Sequence, residues 1–259
     1  MNTPFDAAID AIRLAGYHNQ RKEAHSDIVS TGMFNDLARM CQPLRADVDA
    51  GIVRVWYNVV APGDRQRCID MFVGEPDSHG RPDITKVRIA LENKSVITAH
   101  RNRTNRFDDL HKVLSAVHKA QPLAILVATV MIGLREQVLN VPDHVKKQYI
   151  NRRDEFELSV RPRLSTGDQL LWSEFHWAIS TNRLLDPQKT VDLFRTLPTR
   201  APGHTHVEGY DYVLLVPVNI DNVNPPSIPR PNGLGIDVDA EYARLLTQIC
   251  SAYIARWHM

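Results

Sequence analysis

Apolar and polar positions alternate along this chain with two different periods, and the switches between them lay out the elements. Phe5, Ile9, Ile12 and Ala15 share one side of a short helix that Asn2-Thr3 can cap. A second helix is predicted from Ser26 to Cys41, with Ser26-Asp27 as its start signal. The period then shortens to two: Val53 to Val60 reads as a strand that stops at the Pro62-Gly63-Asp64 turn. Helical spacing returns at Phe107, Leu110, Leu114 and Val117, with Asn105 as the candidate N-cap and an end before Pro122. Leu123 to Leu134 is a mostly apolar run, too short to span a bilayer, that reads as a buried strand or as a strand passing into helix. Strand, helix, strand in that order predicts a crossover unit and some parallel pairing.

Further along, the region from Asp143 to Leu197 looks mainly helical, and Tyr210 to Val218 alternates as a strand. Pro225, Pro226, Pro229 and Pro231 then oppose regular structure between Asn222 and Gly235. So long a loop is expected to be either functional, reaching a nucleic-acid groove or a partner subunit, or disordered. Asp237 to Trp257 is an amphipathic helix with Tyr242, Leu245, Leu246, Ile249 and Tyr253 along one stripe. The expected class is therefore mixed α/β, with a central mixed sheet flanked by helices. With 259 residues and 43% apolar content, one large core can form over 1–259, with a mainly helical insertion at about 143–200.

The densest chemistry lies in Glu92-Asn93-Lys94, which ends the mostly apolar run Val87 to Leu91. In a strand, Glu92 and Lys94 point to one face and Asn93 to the other. Glu92 offers hard oxygen ligands suited to Mg²⁺, and the Lys94 ammonium beside such an ion is placed to orient a water and offset charge at a phosphorus centre. A second carboxylate is needed. Asp83 is the first choice, although nine residues of extended chain would hold it ~30 Å from Glu92, so this choice requires a turn or bulge near Thr85-Lys86. Asp70 is the second choice. It approaches Glu92 if Cys68 to Val73 and Lys86 to Ile97 form a hairpin around Asp77-Ser78-His79-Gly80-Arg81-Pro82; Asp77 is a weaker alternative in the same pairing. Glu and Lys two apart should occur about once by chance in a chain this long, so the tripeptide alone also fits a solvated edge-strand pair. Its context favours a site.

The segment Arg81-Pro82-Asp83-Ile84 through Ile89-Ala90-Leu91-Glu92-Asn93-Lys94-Ser95 resembles the active-site signature of the PD-(D/E)XK nuclease superfamily, in particular its type II restriction endonucleases. Asp83 matches the first acid of that signature, Glu92 the second and Lys94 the lysine. The resemblance covers about a dozen positions and implies a restriction-endonuclease-like core, Mg²⁺ with Mn²⁺ as a substitute, and hydrolysis of double-stranded DNA to leave a 5′-phosphate. It also implies a homodimer on a palindromic site and a cognate DNA methyltransferase as functional partner. A structure-specific repair or mobile-element nuclease, or a DNA-binding module without catalysis, are the alternatives.

Downstream of the tripeptide, Thr98 to Arg106 holds three arginines, a histidine and two asparagines in nine residues with no acid. Arginine grips phosphate or guanine and asparagine can pair with adenine, so His100, Arg101, Arg103 and Arg106 are the expected DNA contacts. Asp108 and Asp109 suit the first turn of a helix and are not read as ligands. Glu23 or Asp27, in the helices before the strands, could project a further ligand toward the metal, but both read as surface acids. Lys146, Lys147, Arg152, Arg153, Arg161 and Arg163 could build a second wall of a DNA cleft, but read rather as an alternating-charge helix face. Trp172, Phe175, His176 and Trp177 read as core or interface aromatics.

Other chemistries find little support. His204-Thr205-His206 lacks companions at zinc spacing, and Gly233-Leu234-Gly235 lacks both the third glycine and the preceding strand of a dinucleotide fingerprint. Net charge is only +1, so affinity for DNA must come from local clustering. Cys41, Cys68 and Cys250 are odd in number and far apart, which predicts reduced thiols and a cytoplasmic protein. The first residues lack the pattern of a signal peptide.

Overall fold

The computed structural model describes residues 2–15, 24–60, 68–97, 100–140, 152–155, 158, 162–163, 178–205, 207–222 and 224–258. Helices α1 (Pro4–Ala15), α2 (Ala24–Met40) and α3 (Gln42–Asp49) precede strands β1 (Arg54–Val60), β2 (Cys68–Pro76) and β3 (Pro82–Val96). Helix α4 (Arg103–Ala120) leads to β4 (Ile125–Gly133) and the short strands β5 (Gln137–Asn140) and β6 (Ala178–Thr181). Helix α5 (Asp186–Phe194), strand β7 (Tyr212–Val218) and helix α6 (Val238–Trp257) follow. Five strands form one mixed sheet in the order β1-β2-β3-β4-β7, flanked by helices. Strands β1, β2 and β3 pair antiparallel, whereas β3, β4 and β7 run parallel.

The parallel part forms because α4 returns the chain between β3 and β4, the crossover that helical spacing after the tripeptide predicts. Every residue of β4 is buried, which explains its unbroken apolar run: a parallel strand covered on both faces has no solvent side to mark with polar residues. The run ends as strand and does not pass into helix. At its end, a side chain on Gly133 would lie 2.7 Å from the carbonyl oxygen of Ile97, so only glycine lets the two segments approach.

Two helix groups cover the sheet. Helix α2 packs on its neighbours α1 and α3, the last helix α6 returns to α2 and α3, and α4 touches α5. Thr3 caps α1 reciprocally: its amide and hydroxyl donate to Asp6 Oδ2, at 2.8 and 2.7 Å. Asp237 caps α6 by accepting from the Ala240 amide at 3.1 Å. Helix α4 instead begins at Arg103 after a 3₁₀ turn, His100–Asn102, and not at Asn105. Strand β7 is moored at its start by Asp211, fully buried, which accepts from Arg200 at 3.2 Å and from Arg256 and the Leu126 amide.

Three expectations need correction. The proline-rich loop does not extend outward: Arg230 Nη2 reaches Asp6 Oδ2 at 2.9 Å and its Nε reaches Asp239 Oδ2 at 2.7 Å, while Arg13 donates to the Pro226 carbonyl. It is a strap across α1 and α6. The mainly helical reading of Asp143 to Leu197 missed β6, which pairs antiparallel with β5. Lys146, Lys147, Arg161 and the aromatics Trp172, Phe175, His176 and Trp177 lie outside the described residues. Finally, Cys41 and Cys250 are joined as a disulfide, with Cα atoms 5.4 Å apart; Cys68 is free and exposed. Separation along the chain says nothing about separation in the fold, and α6 packs back onto the α2–α3 junction.

A crosslink closing so long a loop should contribute ~2–4 kcal/mol through the unfolded state. Replacing Cys250 with Ser should lower the thermal midpoint in non-reducing buffer, and a reducing agent should abolish the difference between the two proteins.

Candidate metal and nucleic-acid site

The hairpin β2–β3 decides which carboxylates meet. Asp77 turns the chain by accepting from the amides of His79 and Arg81 at 2.8 and 2.9 Å. From there β3 runs from Pro82 to Val96, with an irregular stretch between Pro82 and Val87 where five steps of β3 face two of β2. That bulge includes Thr85-Lys86 but does not fold the chain back, and Asp83 stays toward the hairpin end of the strand, away from Glu92. There its carboxylate accepts from the Thr85 hydroxyl and amide, at 2.7 and 3.0 Å, and these bonds hold it below the usual range. The structure does not bring Asp83 to Glu92.

Asp70 is the acid that the fold brings beside Glu92. Met71 pairs with Leu91, so Asp70 lies one step beyond, next to Glu92. Its Oδ2 accepts from the Asn93 amide at 2.6 Å. Burial raises the Asp70 carboxyl, and the neighbouring Asp27 carboxylate pushes the same way, while the Asn93 amide, the Lys94 ammonium and the Ser26 side chain oppose them. Asp77, the third alternative, is consumed by the turn.

Glu92 is 3% exposed and pairs through Oε1 with Lys94 Nζ. Its other oxygen, Oε2, has no hydrogen-bond partner among the described residues. Burial pushes this carboxyl up to about 7, against the pull of Lys94 and with a further push from Asp70. A buried, unsatisfied acceptor of this kind is rare in a folded interior and demands an explanation. Asn93 points away from the pair. Its Nδ2 donates to the hydroxyls of Ser26 and Ser30, each at 2.9 Å, and its Oδ1 accepts from Thr129 at 2.5 Å. Nothing in the hydrophobic pattern announced this network, because serine and threonine in a helix and a strand read as neutral spacers.

The donor set suits Mg²⁺ by its chemistry: two hard carboxylates, one with a bare oxygen, for an ion that keeps several waters and takes the rest of its shell from substrate phosphate. Among the described residues no group of three or more His, Cys, Asp or Glu is placed to hold a metal ion.

The basic stretch divides. His100 is fully buried; Nδ1 faces the Thr190 hydroxyl at 2.7 Å and Nε2 faces the Gly133 carbonyl at 2.9 Å. Burial lowers its pKa. It is a core residue that ties the 3₁₀ turn to β4 and α5, and it does not present itself to DNA. Arg103 is half-buried and turned inward, 3.4 Å from Asp186. Arg101 and Arg106 are exposed, the second 3.5 Å from Asp109. Asn102, Asn105, Arg106, Asp108, Asp109 and Lys112 line an open polar depression of about 430 Å³ beside α4, so acids share it with the basic side chains. A larger depression of about 540 Å³, beside Tyr212 and Glu241, contains none of the site residues.

No protein-family model, no curated protein and no solved structure matches this chain.

The raised Glu92 pKa sets a pH dependence. The folded protein holds the proton more tightly than the unfolded chain, so the contribution of this group is fully present below the ordinary pKa of 4.5 and is lost as pH rises through about 7. In metal-free buffer the thermal midpoint of the wild type should fall between pH 5 and pH 8 by on the order of 5 °C more than that of Glu92→Gln. Parallel pH curves for the two proteins would refute this assignment.

Proposed function

We propose that the chain is a divalent-metal-dependent DNA endonuclease of the restriction type, with Asp70, Glu92 and Lys94 as its catalytic groups. The observation that carries this reading is the buried Glu92 Oε2, which has no hydrogen-bond partner among the described residues, beside Asp70 and Lys94. Supporting it are the strand that ends in Glu92-Asn93-Lys94, the neighbouring parallel strand reached through α4, and the exposed Arg101 and Arg106 just beyond.

In this reading Asp70 and Glu92 hold Mg²⁺, or Mn²⁺ in its place. What the bound ion supplies is a water of lowered pKa and neutralisation of charge at phosphorus. Lys94 then exchanges its contact with Glu92 for one with the attacking water or the scissile phosphate, orienting the first and offsetting charge on the second. Burial of Glu92 keeps bulk water from competing for its oxygens. Arg101 and Arg106 grip phosphates of double-stranded DNA, and Asn102 and Asn105 on the same rim can read bases. A homodimer would present two such sites to a palindrome, and a methyltransferase would protect the host sequence. The membrane has no part in this reading; no described helix is long and apolar enough to cross one.

Unmethylated DNA of diverse sequence, incubated with Mg²⁺ or with EDTA, tests it. The wild type should give discrete fragments only with the metal. Asp70→Ala, Glu92→Ala and Lys94→Ala should each lose at least ~100-fold in rate, whereas Asp83→Ala should cut normally. Intact DNA with every metal, from folded protein, would leave a binding module. Cleavage confined to flaps or junctions would indicate a structure-specific nuclease.

A further inference from the structure

Asn93 touches three other elements of the fold at the point where the carboxylates meet. Its backbone amide donates to the Asp70 carboxylate near the start of β2; its Nδ2 donates to Ser26 and Ser30 on α2; its Oδ1 accepts from the Thr129 hydroxyl on β4. Both donors and the acceptor of the side-chain amide are used, which fixes its orientation. Thr129 and Ser30 are essentially inaccessible, so these bonds form away from competing water and are worth more than surface ones. Thr129 is also the direct neighbour of Asn93 in the parallel ladder, so the side-chain bond reinforces the strand register. Ser26 closes the circuit: the same residue that receives the Asn93 amide interacts through its side chain with Asp70.

We propose that Asn93 is the positioning residue of the metal site, and that the Thr129–Asn93–Ser26 relay sets the orientation of Asp70 relative to Glu92. Asp70 would otherwise have good reason to turn away, since two further carboxylates, Glu92 and Asp27, face it. The relay opposes that repulsion without adding charge. Groups that orient a ligand through hydrogen bonds usually govern metal affinity more than the chemical step, because they shape the empty site. This inference rests on the reading of Asp70, Glu92 and Lys94 as the nuclease site.

Thr129→Val removes the hydroxyl at nearly constant volume and touches neither ligand; Thr129→Ser keeps it. Mn²⁺ binding is measured by calorimetry without DNA, alongside the metal dependence of cleavage and the thermal midpoint. Thr129→Val should weaken Mn²⁺ binding ~10-fold and raise the metal concentration for half-maximal cleavage equally, with the rate at saturating metal within ~3-fold of wild type. Thr129→Ser should restore both. Asn93→Ala, if it folds, should show a larger loss of affinity. A Thr129→Val protein that loses only thermal stability, or only the saturated rate, overturns the relay alone. A wild type whose Mn²⁺ binding is absent, or is unaffected by Glu92→Ala, overturns the nuclease reading and the relay together.

Discussion

The fold is organised around one electrostatic cost: two carboxylates, Asp70 and Glu92, are held side by side in a place with little water. Desolvation and mutual repulsion both oppose their ionisation. Lys94 supplies the cation in direct contact among the described residues. What keeps the acids from separating is the rigidity around them. Strand β4 is buried along its whole length, and β3 is clamped between β2 and β4. A site on a mobile loop would relax by swinging an acid into solvent; here the backbone carrying Glu92 has nowhere to go.

A second feature of β3 is its change of parity. Arg88 and Glu92 are four residues apart and would share a face of a regular strand. Opposite Gly74 the β2–β3 register shifts, placing an extra residue on β3 between Val87 and Ile89. A side chain on Gly74 would meet the Lys86 carbonyl at 2.7 Å, so the bulge requires glycine there. Beyond it Arg88 turns to Asp47 on α3 and Tyr253 on α6, at 2.6 and 2.9 Å. Glu92 instead lies close enough to Tyr210 to raise its pKa further than burial alone, and Tyr210 is bonded to Leu110 on α4. One strand thus serves two charge clusters without bringing a structural arginine to the carboxylates.

Much of this architecture was legible in the sequence because it rests on local periodicity. The apolar run into Glu92, the α4 spacing and the run after Pro122 each carry their own signal, and together they imply the crossover. The choice between Asp83 and Asp70 was not local. It depended on where the hairpin turned, and Asp77 supplies a better turn than Thr85-Lys86 because its carboxylate can hold two amides at once. His100 misled for a related reason: beside three arginines it reads as basic, yet a histidine's two ring nitrogens can be satisfied wholly inside a core. The pairing of Cys41 with Cys250 and the strap role of Arg230 are long-range facts that no period in the chain encodes.

The strap and the disulfide share a geometric consequence. Arg230 reaches back to Asp6, and Cys250 reaches back to Cys41, so both contacts join the first helices to the last. The hairpin, α4 and β4 lie between them and are built from neighbours in sequence. Contacts of such unequal span form at different times, since closing a long loop costs entropy before any contact rewards it. The half of the sheet that carries Glu92 rests on short loops, whereas the layer that brings Ser26 to Asp70 is tied down by the longest loops in the fold. The two sides of the carboxylate pair are therefore held by contacts of very different entropic cost.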